Sequence, residues 1–152
     1  MNYWLFKSEP ETFSIDALKK KPKQTEHWDG VRNFQARNFL RDEVKKGDLV
    51  FFYHSSCEPP GIAGIAQVVK AGYPDFTAWD VNSPYYDSKS TPDRPLWYMV
   101  DVKFVEKFPQ LISLQQIKKN PKLKNMIILR RGNRLSITPV TEKEWKAVLK
   151  MV

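Results

Sequence analysis

Cysteine is nearly absent from this chain of 152 residues: Cys57 stands alone, so no internal disulfide can form. Histidine is scarce too, and with two residues and neither an HExxH nor a CxxC spacing no zinc site is recognisable. A Walker loop and a Gly-x-Gly-x-x-Gly fingerprint are both missing, which removes the commonest phosphate cradles of nucleotide-dependent enzymes. No apolar run approaches the roughly 18 residues of a membrane span. The opening Met1 to Lys7 enters an apolar pattern at once, without the basic region or cleavage site of a signal peptide. These absences predict a soluble, intracellular protein with no membrane partner, no metal and no cofactor. The length fits one domain over residues 1–152, with a core that needs no staples. Length does not determine the oligomeric state, for which a monomer is the default.

Acidic residues are missing from one long window. Between Lys107 and Val140 there is no Asp or Glu, while eight of the chain's 25 basic residues fall there, so the remaining 17 match the 17 acidic ones. The net charge of +8 is therefore a local excess. Concentrated positive charge favours a polyanion through counterion release, although an ordinary solvated surface has the same composition.

What is present is concentrated in Trp28 to Asn38, reading Trp-Asp-Gly-Val-Arg-Asn-Phe-Gln-Ala-Arg-Asn. An indole can stack, Asn33 and Asn38 can pair with base edges, and Arg32 and Arg37 can fork onto phosphate. The plainer reading makes Trp28 a core residue, Asp29-Gly30 a turn and Asn33 the N-cap of the helix that follows.

The patterns along the chain predict about five strands and four short helices. Strands are expected at Tyr3–Lys7, Leu49–His54, Gly61–Ala71, Leu96–Phe104 and Leu135–Val140. Ser14 predicts a short helix with Ile15 and Leu18 inward. A longer helix is expected over Phe34–Lys45, closed by Gly47 and carrying Arg37, Arg41 and Lys45 as a stripe. Ser113 with Gln116 and Thr141 with Glu144 are capping boxes for two more. A Pro- and aromatic-rich loop runs from Tyr73 to Pro95. The irregular order excludes a doubly wound sheet and fits an α+β fold, a small curved sheet or open barrel flanked by helices.

Catalytic constellations are weak. Ser8 with His54, or Cys57 with His54, lacks any local motif, and each residue has an ordinary structural use, so no catalytic residue is assigned.

Five stretches in the same order resemble the EVE domain family: Lys7-Ser8-Glu9-Pro10; Trp28 to Asn33 with Gln35-Ala36-Arg37-Asn38; Phe52-Tyr53-His54-Ser55; Gly61-Ile62-Ala63-Gly64; and Arg134-Leu135-Ser136 with Pro139-Val140. The resemblance runs from Tyr3 to the closing helix. It implies a PUA-like pseudo-barrel of about five to six mixed strands flanked by short helices. It further implies a nucleic-acid-binding module that reads a modified base, notably modified cytosine in DNA, flipped into an aromatic and polar pocket. Carried onto this chain, the pocket comprises Lys7, Ser8, Trp28, Val31, Asn33, Tyr53, His54, Arg134 and Ser136. Within it, Trp28 and Tyr53 would stack, and Asn33 and Ser8 would read the polar edge. Arg32, Arg37, Arg41, Arg130 and Arg131, with Arg134, would hold phosphates. The expected partner is nucleic acid, DNA before RNA. The expected location is the cytoplasm in a prokaryote and the nucleus in a eukaryote. Two alternatives stay open: a small hydrolase acting on modified nucleosides through Lys7 and Glu9, and an RNA-binding adaptor dominated by the basic window.

Overall fold

Period-two alternation builds the centre of the molecule. In a computed structural model that describes all residues Met1–Val152, β1 (Tyr3–Ser8) and β3 (Leu49–His54) lie side by side in parallel. Both strands are apolar on both faces, as strands covered from two sides must be. Trp4, Phe6, Val50 and Phe52 enter one core cluster, and Leu5, Phe51 and Tyr53 enter another on the opposite face. β4 (Gly61–Pro74) pairs with β3, β5 (Tyr98–Ser113) with β4, β2 (Thr25–His27) with β5, and β6 (Ile137–Val140) with β1, all antiparallel. The result is one mixed six-stranded sheet in the order β2-β5-β4-β3-β1-β6.

The expected fold class is observed, six mixed strands with four short helices. The helices are α1 (Ile15–Lys20), α2 (Phe34–Asn38), α3 (Leu114–Lys119) and α4 (Glu142–Leu149). Both capping boxes form, and Ser14 accepts the Ala17 N–H at the head of α1. α4 stacks Trp145 on Phe51, with ring centroids 3.8 Å apart, and so covers one face of the sheet. α1 and α2 cover the other face through Ile15, Leu18 and Ala36.

Three elements differ from the expectation. The helix over 34–45 is not uniform: after α2 the chain widens into a π-helical turn, Phe39–Glu43, where the Val44 N–H reaches back to the Phe39 carbonyl. Gly47 is not its cap; its φ of +96° serves the turn into β3. β5 runs nine residues past Phe104 because its outer half bends along β4 through successive register shifts. At one of these shifts Gly64 is required, since a β-carbon there would stand 2.2 Å from the Glu106 carbonyl oxygen. β2 has no apolar alternation and exists because β5 offers it an edge.

Candidate functional site

At one end of the sheet the chain leaves an open cleft of about 610 Å³. The end of β1 supplies Lys7 and Ser8, followed by Glu9. The segment from β2 to α2 supplies Glu26 through Arg32, the long loop supplies Pro84 and Tyr85, and Ser136 closes the wall beside β6. Thr12 and Phe13 complete the lining.

Trp28 continues β2, its N–H donating to the Val100 carbonyl at 2.7 Å. Its ring packs against Phe6 and Phe52, each at 5.2 Å, and against Phe13 at 6.0 Å. At 6 % exposure it is buried, although it lines the cleft. The expected free stacking plate is thus a core residue that floors the cleft. Beside it, Gly30 turns at φ +81°, and a methyl group there would stand 2.7 Å from the Tyr85 ring. Glycine is needed for both the turn and the ring laid over it.

Arg32 fixes that ring. Its guanidinium pairs with the fully buried Asp75 at 3.0 Å, donates to the Tyr85 carbonyl at 2.7 and 3.1 Å, and lies over the Trp97 ring at 5.5 Å. Asp75 also accepts the Gly30 N–H at 2.9 Å. Arg32 therefore lines the cleft as the clamp of its loop wall, with its donors turned onto protein acceptors. The expected phosphate role does not fit that geometry. Arg37 is engaged likewise: it donates to the Leu96 carbonyl at 2.8 Å and lies over Phe34, which stacks on Trp97. Arg41 forms a two-pronged exposed pair with its neighbour Asp42.

Several expected pocket residues stand elsewhere. The Asn33 side chain accepts the Ala36 N–H at 3.0 Å as the N-cap of α2. Tyr53 falls on the opposite face of β3, where burial pushes its hydroxyl up to about 12, because strand residues alternate and Phe52 takes the cleft side. The His54 Nε2 accepts the Ile15 N–H at 3.1 Å, satisfying a free donor in the first turn of α1. Burial lowers its pKa, and the accepted hydrogen bond requires the neutral ring. Arg134 is exposed and does not line the cleft. Lys7, Ser8, Trp28, Val31 and Ser136 are brought together as expected. The Ser8 hydroxyl donates to the Phe13 carbonyl at 2.7 Å, leaving its lone pairs for the cleft.

Glu26, His27 and Asp29 line the cleft with no signal in the sequence, because Thr25–His27 has no strand alternation and Asp29-Gly30 reads as a turn. Tyr85 lies in the Pro- and aromatic-rich loop from Tyr73 to Pro95, where no local pattern aims it inward. His27 sits between two carboxylates, 2.8 Å from Glu26 and 3.7 Å from Asp29. Burial pushes the Asp29 carboxyl above its ordinary range; His27 opposes the rise, and the Asp75 and Glu26 charges add to it. For Glu26 burial acts upward, but hydrogen bonds from Lys21 and the His27 N–H hold it below that range. Lys7 faces the cleft without an ion pair, and burial lowers its pKa. The site thus holds a half-buried acceptor wall, one free ammonium group, two serine hydroxyls and the aromatic rim of Phe13 and Tyr85. A planar ligand with an exocyclic amine on one edge matches that inventory. No cluster of three or more His, Cys, Asp or Glu residues gathers to hold a metal.

The mixed sheet, its short helices and the terminal cleft define a PUA-like module. The comparison with known proteins goes further: residues 2–151 match the EVE domain, and the chain belongs to the EVE domain family. It is 47 % identical to human thymocyte nuclear protein 1, covering 99 % of this chain and 73 % of that protein. A structure of human THYN1 in complex with DNA containing 5-methylcytosine matches with a TM-score of 0.93 at 47 % identity, over 99 % of this chain and 97 % of that one. A Pseudomonas syringae protein, PSPTO5229, matches with a TM-score of 0.93 at 47 % identity, over 98 % of both chains. An ASCH protein of Zymomonas mobilis, at 11 % identity and a TM-score of 0.55, shares the fold alone.

Proposed function

We propose that this protein, read as one EVE domain over residues 1–152, binds DNA and recognises a modified cytosine turned out of its stack into the cleft. The observation that carries this reading is the likeness to human THYN1 in complex with 5-methylcytosine DNA, at a TM-score of 0.93. The chemistry of the cleft supports it. Cytosine presents an N4 amino donor, for which carboxylates are the natural acceptors. Asp29 is the half-buried acceptor placed for it, with Glu26 beside it. The Lys7 ammonium supplies the complementary donor for a ring carbonyl, and Ser8 and Ser136 offer adaptable hydroxyls. Val31, Phe13 and Tyr85 provide apolar surface for the ring and a 5-substituent. Flipping costs a few kcal/mol, which these contacts must offset. Arg130, Arg131 and Arg134, all exposed in the turn that leads to Ser136, reach outward for phosphates. In a nucleated cell this function belongs in the nucleus, and in a bacterium in the cytoplasm.

A second reading, hydrolysis of a modified nucleoside, draws on one observation: Lys7 and Glu9 both line the cleft, and Lys7 is unpaired.

The deciding experiment measures binding of matched single- and double-stranded DNA carrying cytosine, 5-methylcytosine or 5-hydroxymethylcytosine, and of matched RNA, at one ionic strength. Preference among the DNA bases, lost in Asp29→Asn with the fold intact, is the expected result. Equal binding to all would remove the reader, and turnover of modified cytidines would move the site to hydrolysis.

A further inference from the structure

The acid-free window does not stay together in space. Lys107 pairs with Asp16 at 2.9 Å, and the three arginines lie in the turn before β6. Lys122, in the 3-10 turn Pro121–Leu123, is instead joined by lysines from outside the window. Lys143, Lys146 and Lys150 of α4 and its C-cap recur at i, i+3 and i+7, so they share one helical face and line a groove of about 360 Å³ with Lys122. Ala147 is the only other residue in that lining, and no carboxylate belongs to it. Lys118 and Lys119 add exposed charge from the last turn of α3. One pair intrudes, Lys146 with Glu142 at 3.1 Å, but both side chains are about two-thirds exposed, at 68 % and 64 %, and such a pair exchanges readily for a stronger anion.

We propose that this lysine groove is a second nucleic-acid site, one that grips phosphodiester backbone without reading bases. Four ammonium groups with no aromatic or amide neighbour in the lining supply charge and no base-edge code. Three of them span about 10 Å along the helix axis, near the rise of three nucleotides at 3.4 Å each. A lipid surface calls for apolar side chains set between the charges, which the groove lining lacks.

The groove also lies on the far side of the sheet from the cleft. α4 stacks Trp145 on Phe51, whereas the next residue of β3, Phe52, packs on Trp28 under the cleft. One short rigid duplex cannot touch both faces, so the groove holds a second segment of nucleic acid. That consequence is independent of which base the cleft accepts.

The test uses the full chain and a duplex of one helical turn, about 10 base pairs, carrying a single 5-methylcytosine. Titration at low salt is expected to load two duplexes per protein. The variant Lys122→Gln, Lys143→Gln, Lys146→Gln, Lys150→Gln is expected to load one. The wild type's second binding event should carry a log–log salt slope of about 3.6, at about 0.9 for each of four phosphates contacted, and the variant should lack that event. Its preference for the modified base should be unchanged. The four side chains are exposed, so unchanged melting is the control for folding. Equal stoichiometry and slope in both proteins would overturn the proposal. So would a variant that keeps its DNA binding but loses binding to phosphatidylserine vesicles. A wild type that loads two duplexes without preferring the modified base would leave the groove standing and remove the reader.

Discussion

The cleft and the lysine groove are built from opposite materials. In the cleft the charged groups are of both signs, and most are half-buried and tied into a network: Arg32 to Asp75, and His27 between Glu26 and Asp29. In the groove they are four lysines of one sign, exposed and largely unpaired. Burial makes a charge expensive unless it meets its complement, so the cleft can discriminate between ligands. Exposure keeps a charge cheap and screened, so the groove attracts any polyanion and answers to salt. Discrimination and attraction are thus separated onto two faces of one sheet.

The largest effect should come from Trp28→Ala. Removing a ring packed among Phe6, Phe13 and Phe52 is expected to lower stability by about 3–5 kcal/mol in urea unfolding, so its effect on binding would reflect lost fold. A variant that unfolds like wild type would mean the ring is not part of the core. Next, Arg32→Ala leaves the buried Asp75 without its ion pair. It should cost roughly 2–3 kcal/mol, below the full figure for a broken buried pair because Gly30 and Thr77 still donate to the carboxylate. The same variant should free Tyr85, read as loss of modified-base preference with the salt slope retained.

Asp29→Asn separates stability from function. An acid whose folded pKa is raised binds more protons in the native state than in the unfolded one, starting near the ordinary value of about 4. Its ionisation therefore takes stability away as pH rises through that window, and the Asn variant should lack this loss and melt slightly higher at neutral pH. Binding should run the other way. The ionised acceptor is lost as pH falls through the raised pKa, and the variant should lose about 1–3 kcal/mol of preference for modified cytosine. A wild type whose preference is flat with pH down to the ordinary carboxylate range would remove Asp29 from the contact. The smallest effect is expected for Arg41→Ala. Its pair with Asp42 is exposed to solvent and screened, so neither urea unfolding nor duplex affinity should move. A clear fall in affinity would return Arg41 to the phosphate contacts.

Local chemistry accounts for what could be read in advance. Ser14, Ser113 and Thr141 announce helix starts because capping is settled within four residues, and Leu49–His54 announces a strand because its apolar run is bounded on both sides. The order of motifs also announced the family and, through Lys7, Ser8, Trp28, Val31 and Ser136, five of the cleft's residues. Asn33, Tyr53 and His54 could not be separated from them, since each can cap, pack or bind, and only its neighbours decide.

The sequence by itself determined the mixed α+β character, the capped helices, the family and the excess of positive charge. The tertiary structure decided which polar groups are free. Arg32 is spent on Asp75, 43 residues away. His54 is spent on Ile15, and Tyr53 is turned to the wrong face by strand register. Lysines 21 or more positions apart meet across one groove. Whether a side chain binds a ligand depends on whether the fold has already satisfied it, and that is settled by contacts whose separation along the chain no local pattern records.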